Sequence, residues 1–154
     1  MMRFLTDPSL GKLARWLRVL GYDTLYYRQM DLRSMIERAR KEGRVVLTRA
    51  TPLKEKLAAA ALAHLFVRSD HLEEQLREVI QAFSLPARPG PFSLCLTCNE
   101  RLREVAKGEV EGQVPDFVYD TQDHFMSCPR CRRVYWPGTH RQRMEEKIRA
   151  WLGD

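Results

Sequence analysis

The stretch "RFLTDPSLGKLARWLRVLG", residues 3–21, decides the fold of the first half of the chain. It begins with apolar residues that predict a short buried strand, and this strand ends in an acid, Asp7. The residues that follow place four leucines at helical spacing: Leu10, Leu13, Leu17 and Leu20. Gly21 comes where a helix C-cap is expected. A strand that leads directly into an amphipathic helix indicates the first half of a strand–helix–strand unit.

The same alternation continues as far as residue 83. Three further strands are predicted from "DTLYY" (23–27), "RVVLTR" (44–49) and "HLFVRS" (64–69). Three further helices are predicted from "DLRSMIERARKEG" (31–43), "TPLKEKLAAAALA" (51–63) and "HLEEQLREVIQAF" (71–83). Asp31 and Gly43 stand where caps of the second helix belong, and Thr51 is expected to cap the third. This order predicts an α/β fold in which helices flank both faces of a small parallel sheet.

The segment "SLPARPGPFS" (84–93) is rich in proline and small residues, so we interpret it as a linker. The predicted domains are residues 1–88 for the α/β part and residues 89–154 for a cysteine-containing module. The closing segment "RQRMEEKIRAWLG" (141–153) predicts a C-terminal helix whose apolar face packs on its own domain. A groove of a partner protein is the alternative for this face.

All four cysteines of the chain occur in two Cys-x-x-Cys pairs: Cys95 with Cys98, and Cys128 with Cys131. Four thiolates gathered in this way suit a closed, structural zinc site, because they leave no open position for water. Two disulfides are the alternative. The N-terminus does not resemble a secretory signal, and the apolar runs are short and interrupted by charge. We therefore expect a cytoplasmic protein with reduced thiols and no membrane span.

The net charge of +6 lies entirely in the first half of the chain. Residues 1–88 carry sixteen Lys or Arg against ten Asp or Glu, whereas residues 89–154 carry ten of each. A cationic domain favours polyanions such as RNA, because each neutralised phosphate releases condensed counterions. A charge that serves solubility alone is the alternative.

Five polar residues follow the predicted strands at the edge where their carboxyl ends meet: Asp7, Asp31, Arg49, Arg68 and Asp70. Open parallel sheets bind ligands at this edge. Carboxylates there can hold Mg²⁺ or Mn²⁺, and arginines can bind neighbouring phosphates. Helix capping is the alternative role for Asp31 and Asp70, and capping by Asp7 or Ser9 is also available at the start of the first helix. A solvated strand end is the alternative for the two arginines.

A basic stripe is predicted on the first helix, where Lys12, Arg15 and Arg18 recur every three residues. Such a stripe contacts an RNA backbone if it lies beside a nuclease site. It is otherwise the solvated face of an amphipathic helix.

Five segments together resemble the Mut-seven C-terminal RNase domain family, in which a PIN-like ribonuclease domain is fused to a zinc ribbon. They are "FLTDPSLGKLARWLRVLGYDT", "GRVVLTR", "VRSD", "CLTCN" and "CPRCRRVYWPGTHRQRM". The resemblance implies an RNA-cleaving hydrolase whose acids bind Mg²⁺ or Mn²⁺ and activate water. Asp7 and Asp31 match the family's acids, and the four cysteines match its ribbon ligands.

One position departs from that family, because the third strand is followed by Ala50 where an acid is usual. Losing a carboxylate weakens a site for a hard cation. The first hypothesis is therefore a metal-dependent ribonuclease in which Asp7 and Asp31 hold the cation, Asp70 assists through water, and Arg49 and Arg68 contact phosphate. The second hypothesis is a non-catalytic RNA- or ribosome-binding adaptor with a structural zinc ribbon.

Overall fold

The computed structural model describes residues 1–26, 28–29 and 31–153, and it divides the chain into two compact units. The first unit is Met1–Asn99, and the second begins at Glu100. The strands of the first unit are β1 (Arg3–Thr6), β2 (Thr24–Tyr26), β3 (Arg44–Thr48) and β4 (His64–Phe66). Its helices are α1 (Gly11–Leu20), α2 (Leu32–Glu42), α3 (Thr51–Ala59) and α4 (Leu72–Ala82), and a short 3-10 helix (Pro8–Leu10) precedes α1.

The four strands of the first unit form a wholly parallel sheet in the order β2-β1-β3-β4. The predicted α/β fold with a small parallel sheet is therefore confirmed. Because the chain moves from β1 to one side and then returns past β1 to β3, the strand order reverses between β1 and β3. Open sheets of this kind bind ligands beside the carboxyl ends of the strands at that reversal. Asp7 follows β1 there, and Arg49 follows β3.

Helices cover both faces of this sheet, so consecutive residues of β1 are buried on opposite sides. On one face, Leu5 and Val46 pack with Met35 of α2 and Leu57 of α3 in a cluster of buried residues. On the other face, the ring of Phe4 contacts those of Tyr22 and Phe83. Phe4 and Leu5 are each 0% exposed, which explains why this short strand is apolar throughout.

Most helix ends follow the sequence prediction, and one does not. Gly21 ends α1 in the left-handed conformation, Asp31 caps the start of α2, and Gly43 ends α2, as predicted. The prediction that Thr51 caps α3 is wrong, because Thr51 is the first residue of the helix and Ala50 occupies the cap position. Alanine has no side-chain oxygen, so this helix begins without a side-chain cap.

The predicted linker is fixed to the end of α1. The backbone N–H groups of Gly90 and Phe92 donate to the carbonyls of Leu20 and Val19, at 3.2 and 2.9 Å. Gly21 has φ of 104°, and a Cβ there would lie 2.5 Å from the carbonyl oxygen of Gly90. These contacts explain why the first unit extends to Asn99, whereas the sequence analysis placed the boundary after residue 88.

The second unit contains a three-stranded antiparallel sheet in the order β5-β6-β7. Its elements are β5 (Arg103–Val105), a 3-10 helix (Lys107–Val110), α5 (Asp116–Thr121), β6 (Phe125–Ser127), β7 (Val134–Tyr135) and α6 (Thr139–Leu152). Val110, Val114 and Phe125 form its small buried cluster, which Trp136 partly covers. The predicted C-terminal helix is thus present as α6, with Met144 and Ile148 buried.

Within the described ranges, no helix combines the length and the apolar character that crossing a membrane requires.

Candidate functional site

The four cysteines form one cluster, as the sequence predicts. The Sγ atoms of Cys95, Cys98, Cys128 and Cys131 all lie within 4.8 Å of one another, and none of the four forms a disulfide. Tetrahedral zinc with Zn–S bonds of about 2.3 Å holds its sulfurs about 3.8 Å apart. The donor set and its dimensions therefore fit a structural zinc ion, and four sulfur ligands leave no position at which water could be activated.

Both Cys-x-x-Cys turns have the same local geometry. In each, the N–H of the second cysteine donates to the Sγ of the first at 3.4 Å: Cys98 to Cys95, and Cys131 to Cys128. The residues that follow, Asn99 and Arg132, are left-handed, with φ of 66° and 68°. Their N–H groups return to the carbonyls of Cys95 and Cys128 at 2.9 Å. The chain thus repeats one turn geometry at the two halves of the cysteine cluster.

The first cysteine turn is held to the α/β unit by Arg18 and Asn99. Arg18 is 7% exposed, and its Nε donates to the carbonyl of Thr24 at 2.9 Å. Its Nη1 donates to the carbonyl of Leu96, inside the turn, at 2.8 Å. Asn99 accepts from the N–H of Thr24 at 3.0 Å and donates to Asp23 at 2.5 Å. The turn therefore belongs to the same compact unit as the sheet.

Asp23 connects this turn to a second buried arginine. The Nη1 of Arg44, a residue that is 6% exposed, donates to Asp23 at 2.8 Å. Burial opposes the ionisation of Asp23, but the hydrogen bonds from Arg44 and Asn99 outweigh burial and lower its pKa. Asp23 is consequently an ionised structural residue at neutral pH.

Asp7 lies at the reversal of strand order and accepts four hydrogen bonds from the chain. Its Oδ1 accepts from the N–H and the hydroxyl of Ser9, at 2.8 and 2.5 Å. Its Oδ2 accepts from the hydroxyl of Thr48 at 2.6 Å and from the N–H of Arg49 at 3.0 Å. A carboxylate has about four lone-pair positions, so a cation can reach Asp7 only where one donor turns away. Ser9 is exposed and its hydroxyl rotates freely about one bond, which makes it the donor that is easiest to displace.

Ala50 lies next to this carboxylate through one shared hydroxyl. The hydroxyl of Thr48 donates to Asp7 and accepts from the N–H of Ala50 at 2.9 Å. The backbone N–H of Ala50 is thus linked to the Asp7 carboxylate by two successive hydrogen bonds, and Ala50 is exposed. A carboxylate at this position would follow β3 at the same sheet edge as Asp7.

Asp31 stands at the carboxyl edge of the sheet, because α2 starts there and runs back to β3. Asp31 accepts from the N–H and the hydroxyl of Ser34, each at 2.8 Å, and it therefore caps α2. These bonds lower the pKa of Asp31, which is exposed, so it is ionised at neutral pH and keeps lone pairs open to solvent.

Asp70 is exposed, and its Oδ1 lies 3.5 Å from Nε2 of His71, which occupies the N-cap position of α4 without a side-chain capping hydrogen bond. Asp70 therefore does not cap that helix. In the described part of the chain, the four cysteines are the single group of three or more His, Cys, Asp or Glu side chains near enough to share an ion. Asp7, Asp31 and Asp70 do not form such a trio.

The predicted basic residues differ in how accessible they are. Lys12, Arg15 and Arg68 are exposed. Arg18 is not part of an exposed stripe, because its guanidinium is buried against backbone carbonyls. Arg49 is half-buried, and its Nη1 donates to the carbonyls of Val67 and Arg68 at 3.2 and 2.6 Å, which holds the end of β3 to the end of β4.

Four residues that shape this edge are not predicted as site residues from the sequence. Ser9 and Thr48 supply the hydroxyls on Asp7, and an Asp-x-Ser pattern before a helix is a recognisable signal of such a turn. Glu78 accepts from the N–H groups of Arg68 and Ser69, both at 2.8 Å, and Glu74 accepts from the Ser69 hydroxyl. No local pattern in the sequence identifies these contacts, since Glu74 in the first turn of α4 and Glu78 further along the helix reach back to the loop that precedes it.

One family model, described as the Mut7-C RNAse domain, matches residues 2–148 and so covers nearly the whole chain. No curated protein and no solved structure matches the chain significantly.

Proposed function

The chain belongs to the Mut7-C RNAse domain family, and on that premise we propose that it is a metal-dependent ribonuclease that hydrolyses RNA phosphodiester bonds. The observation that carries the proposal is Asp7, an acid that is 3% exposed and fixed at the reversal of strand order. Open parallel sheets bind ligands at this point, outside the carboxyl ends of their strands. The four hydrogen bonds to Asp7 fix the orientation of its carboxylate.

Asp7 and Asp31 are the residues that would hold a divalent cation. Mg²⁺ is usually bound by one or two carboxylates together with substrate phosphates, so two aspartates suffice once RNA is present. The cation would polarise the phosphate and lower the pKa of a bound water. The protein's part is to hold Asp7 through Thr48 and the N–H of Arg49, and to keep Asp31 ionised through Ser34.

The exposed cations beside this edge support RNA as the substrate. Lys12 and Arg15 on α1 and Arg68 after β4 are exposed and available to phosphates. We assign Arg49 and Arg18 to structure instead, because their guanidinium groups donate to backbone carbonyls. Asp70 has no assigned contact with the acids, and we retain it as a residue that acts through water. Four metal-binding thiolates need a reducing compartment, which supports a cytoplasmic location.

The second candidate is a non-catalytic RNA-binding adaptor. Two observations favour it: the acid expected at position 50 is an alanine, and all four lone-pair positions of Asp7 are used by the chain. In this candidate the same cations bind the RNA backbone, and the zinc module supplies a surface for a partner.

A cleavage assay separates the two candidates. Purified, zinc-loaded protein is incubated with labelled single-stranded and structured RNA and Mn²⁺, and Asp7→Asn is the matched variant with the same shape and no charge. We expect cleavage that the variant abolishes. Salt-sensitive RNA binding with equal absence of cleavage in both proteins would reject the ribonuclease in favour of the adaptor.

A further inference from the structure

The second unit contains a cleft of about 440 Å³ that no role described above uses. It lies on one face of the β5-β6-β7 sheet, where Arg103 pairs with Ser127 and Ser127 pairs with Val134. Residues directly opposite each other in antiparallel strands point to the same face, so these three side chains form one row. Ligand pockets typically measure about 300–1,000 Å³, and the cleft is therefore large enough for one nucleotide.

The cleft has an apolar floor. Val105, Val110 and Val134 line it, and all three belong to the small hydrophobic cluster of this unit or pack against it. Val110 is only 2% exposed, so Val105 and Val134 present most of the apolar surface, and an aromatic ring placed on them would remove apolar area from water on both sides.

The rim carries two guanidinium groups that the rest of the unit leaves available. Arg103 and Arg132 are exposed and line the cleft. Among residues 1–26, 28–29 and 31–153, neither side chain forms an ion pair or a hydrogen bond. By contrast, Arg130 lies 3.9 Å from Glu100 and does not line the cleft. Two unpaired guanidiniums beside an apolar floor favour an anionic group such as phosphate.

Hydrogen-bond acceptors complete the lining. Glu109 accepts from the N–H of Ala106 with Oε2 at 3.1 Å, and Gln113 donates its amide to the carbonyl of Glu109 at 2.9 Å. The remaining side-chain oxygens of Glu109 and Gln113 accept no hydrogen bond from the described residues. They suit a ligand that presents N–H donors, as the edges of nucleobases do.

We propose that this cleft binds one nucleotide of a single-stranded RNA, with the base on the valine floor and its phosphate at Arg103 and Arg132. The inference extends the proposed function, since it adds an RNA contact remote in sequence from Asp7, but it does not require cleavage. Unstacked bases in single strands are the usual targets of sequence-tolerant RNA recognition.

Binding of a short labelled single-stranded RNA to the zinc-loaded full chain tests the proposal, with no Mg²⁺ or Mn²⁺ added so that cleavage does not intervene. Arg103→Ala and Arg132→Ala should each weaken binding about tenfold, as the loss of a charged hydrogen bond does. Arg101→Ala and Arg133→Ala are the matched controls, because they remove the same charge from exposed neighbours outside the cleft and should change binding about twofold. Equal effects in all four variants would mean diffuse attraction and would overturn the proposal.

A second measurement needs no variant. Nucleoside monophosphates added to isotopically labelled wild-type protein should shift the amide resonances of residues 103–113 and 127–134. Orthophosphate, or a phosphoserine peptide of equal charge, should shift them far less. If either probe binds as well as the nucleotides, the cleft is an anion or peptide site and the assignment is refuted. The Asp7→Asn assay measures cleavage, whereas these two experiments measure binding. Either proposal can therefore fail while the other is upheld.

Discussion

Replacing Ala50 by aspartate should change the protein in two separable ways, and the first concerns helix α3. Ala50 has the extended backbone of a cap residue, with φ of −96° and ψ of 114°, and supplies no capping oxygen. Pro52 has no N–H, so the N–H of Leu53, the third helical residue, is the group that a new side-chain oxygen would accept from. A cap of this kind stabilises a protein by about 1 kcal/mol.

That gain is measurable in the unit that contains α3. The first unit has about a hundred residues, for which 1 kcal/mol corresponds to about 4–8 °C in Tm. Ala50→Asn is the matched control, since asparagine caps a helix about as well as aspartate and carries no charge. Without added cation, both variants should therefore unfold at a higher temperature than the wild type.

The second effect belongs to the carboxylate alone. Because the N–H of Ala50 and the carboxylate of Asp7 share the hydroxyl of Thr48, the introduced acid would lie at the same sheet edge as Asp7 and add an oxygen ligand. Changes in the shell of a metal site alter affinity by about 10–100-fold. Ala50→Asp should accordingly reach half-maximal RNA cleavage at an at least about tenfold lower Mn²⁺ concentration, and Ala50→Asn should behave as the wild type.

Titration of Mn²⁺ in the cleavage assay, with thermal unfolding of each variant, gives both readouts. An equal gain of activity in the two variants would attribute the effect to helix capping and refute the missing-ligand reasoning. A rise in Tm with an unchanged Mn²⁺ dependence for Ala50→Asp would refute it as well. If neither variant gains stability, the cap assignment at Ala50 is wrong.

Three further outcomes are expected. Arg18→Met keeps an aliphatic side chain but leaves buried carbonyls without donors, so the free energy of unfolding measured in urea should fall by about 2 kcal/mol. The exposed control Arg15→Met should leave the free energy of unfolding almost unchanged. Equal losses in the two variants would contradict the structural role of Arg18. Asp23 has a folded-state pKa below its unfolded value of about 3.9, so its stabilisation is complete above that value and is lost as the pH falls through the folded pKa. The free energy of unfolding of Asp23→Asn should therefore vary less than that of the wild type below about pH 4, and an identical pH dependence would count against the Arg44 contact. Zinc chelation should expose the chain after Glu100 to protease while a resistant fragment containing the sheet survives; simultaneous digestion of both units would argue against their independence.

Local spacing accounts for most of what could be predicted. The leucines of α1 recur at helical spacing, and Gly21, Asp31 and Gly43 mark helix ends by the conformations and hydrogen bonds that their own neighbours require. The same holds for the cysteine turns, where two residues between thiols set the geometry of each half-site. The predicted N-cap of α3 is one residue too late. Thr51 has a side-chain oxygen of the kind that caps helices, but Thr51 is already the first helical residue, so Ala50 occupies the N-cap position.

The sequence by itself determined the elements, the class of fold and the chemistry of the cysteine cluster, because each of these depends on residues close together in the chain. Only the tertiary structure decided which polar side chains are free of contacts within the chain and can reach a ligand. The sequence predicts that Arg18 belongs to an exposed basic stripe, but its guanidinium donates to the carbonyl of Leu96, 78 residues away. The sequence predicts Asp7 as a metal ligand, but the hydroxyl of Thr48, 41 residues away, donates a hydrogen bond to one of its carboxylate oxygens. Such partners are chosen by the path of the chain, since a buried polar group must be satisfied by whatever the fold brings within hydrogen-bond distance.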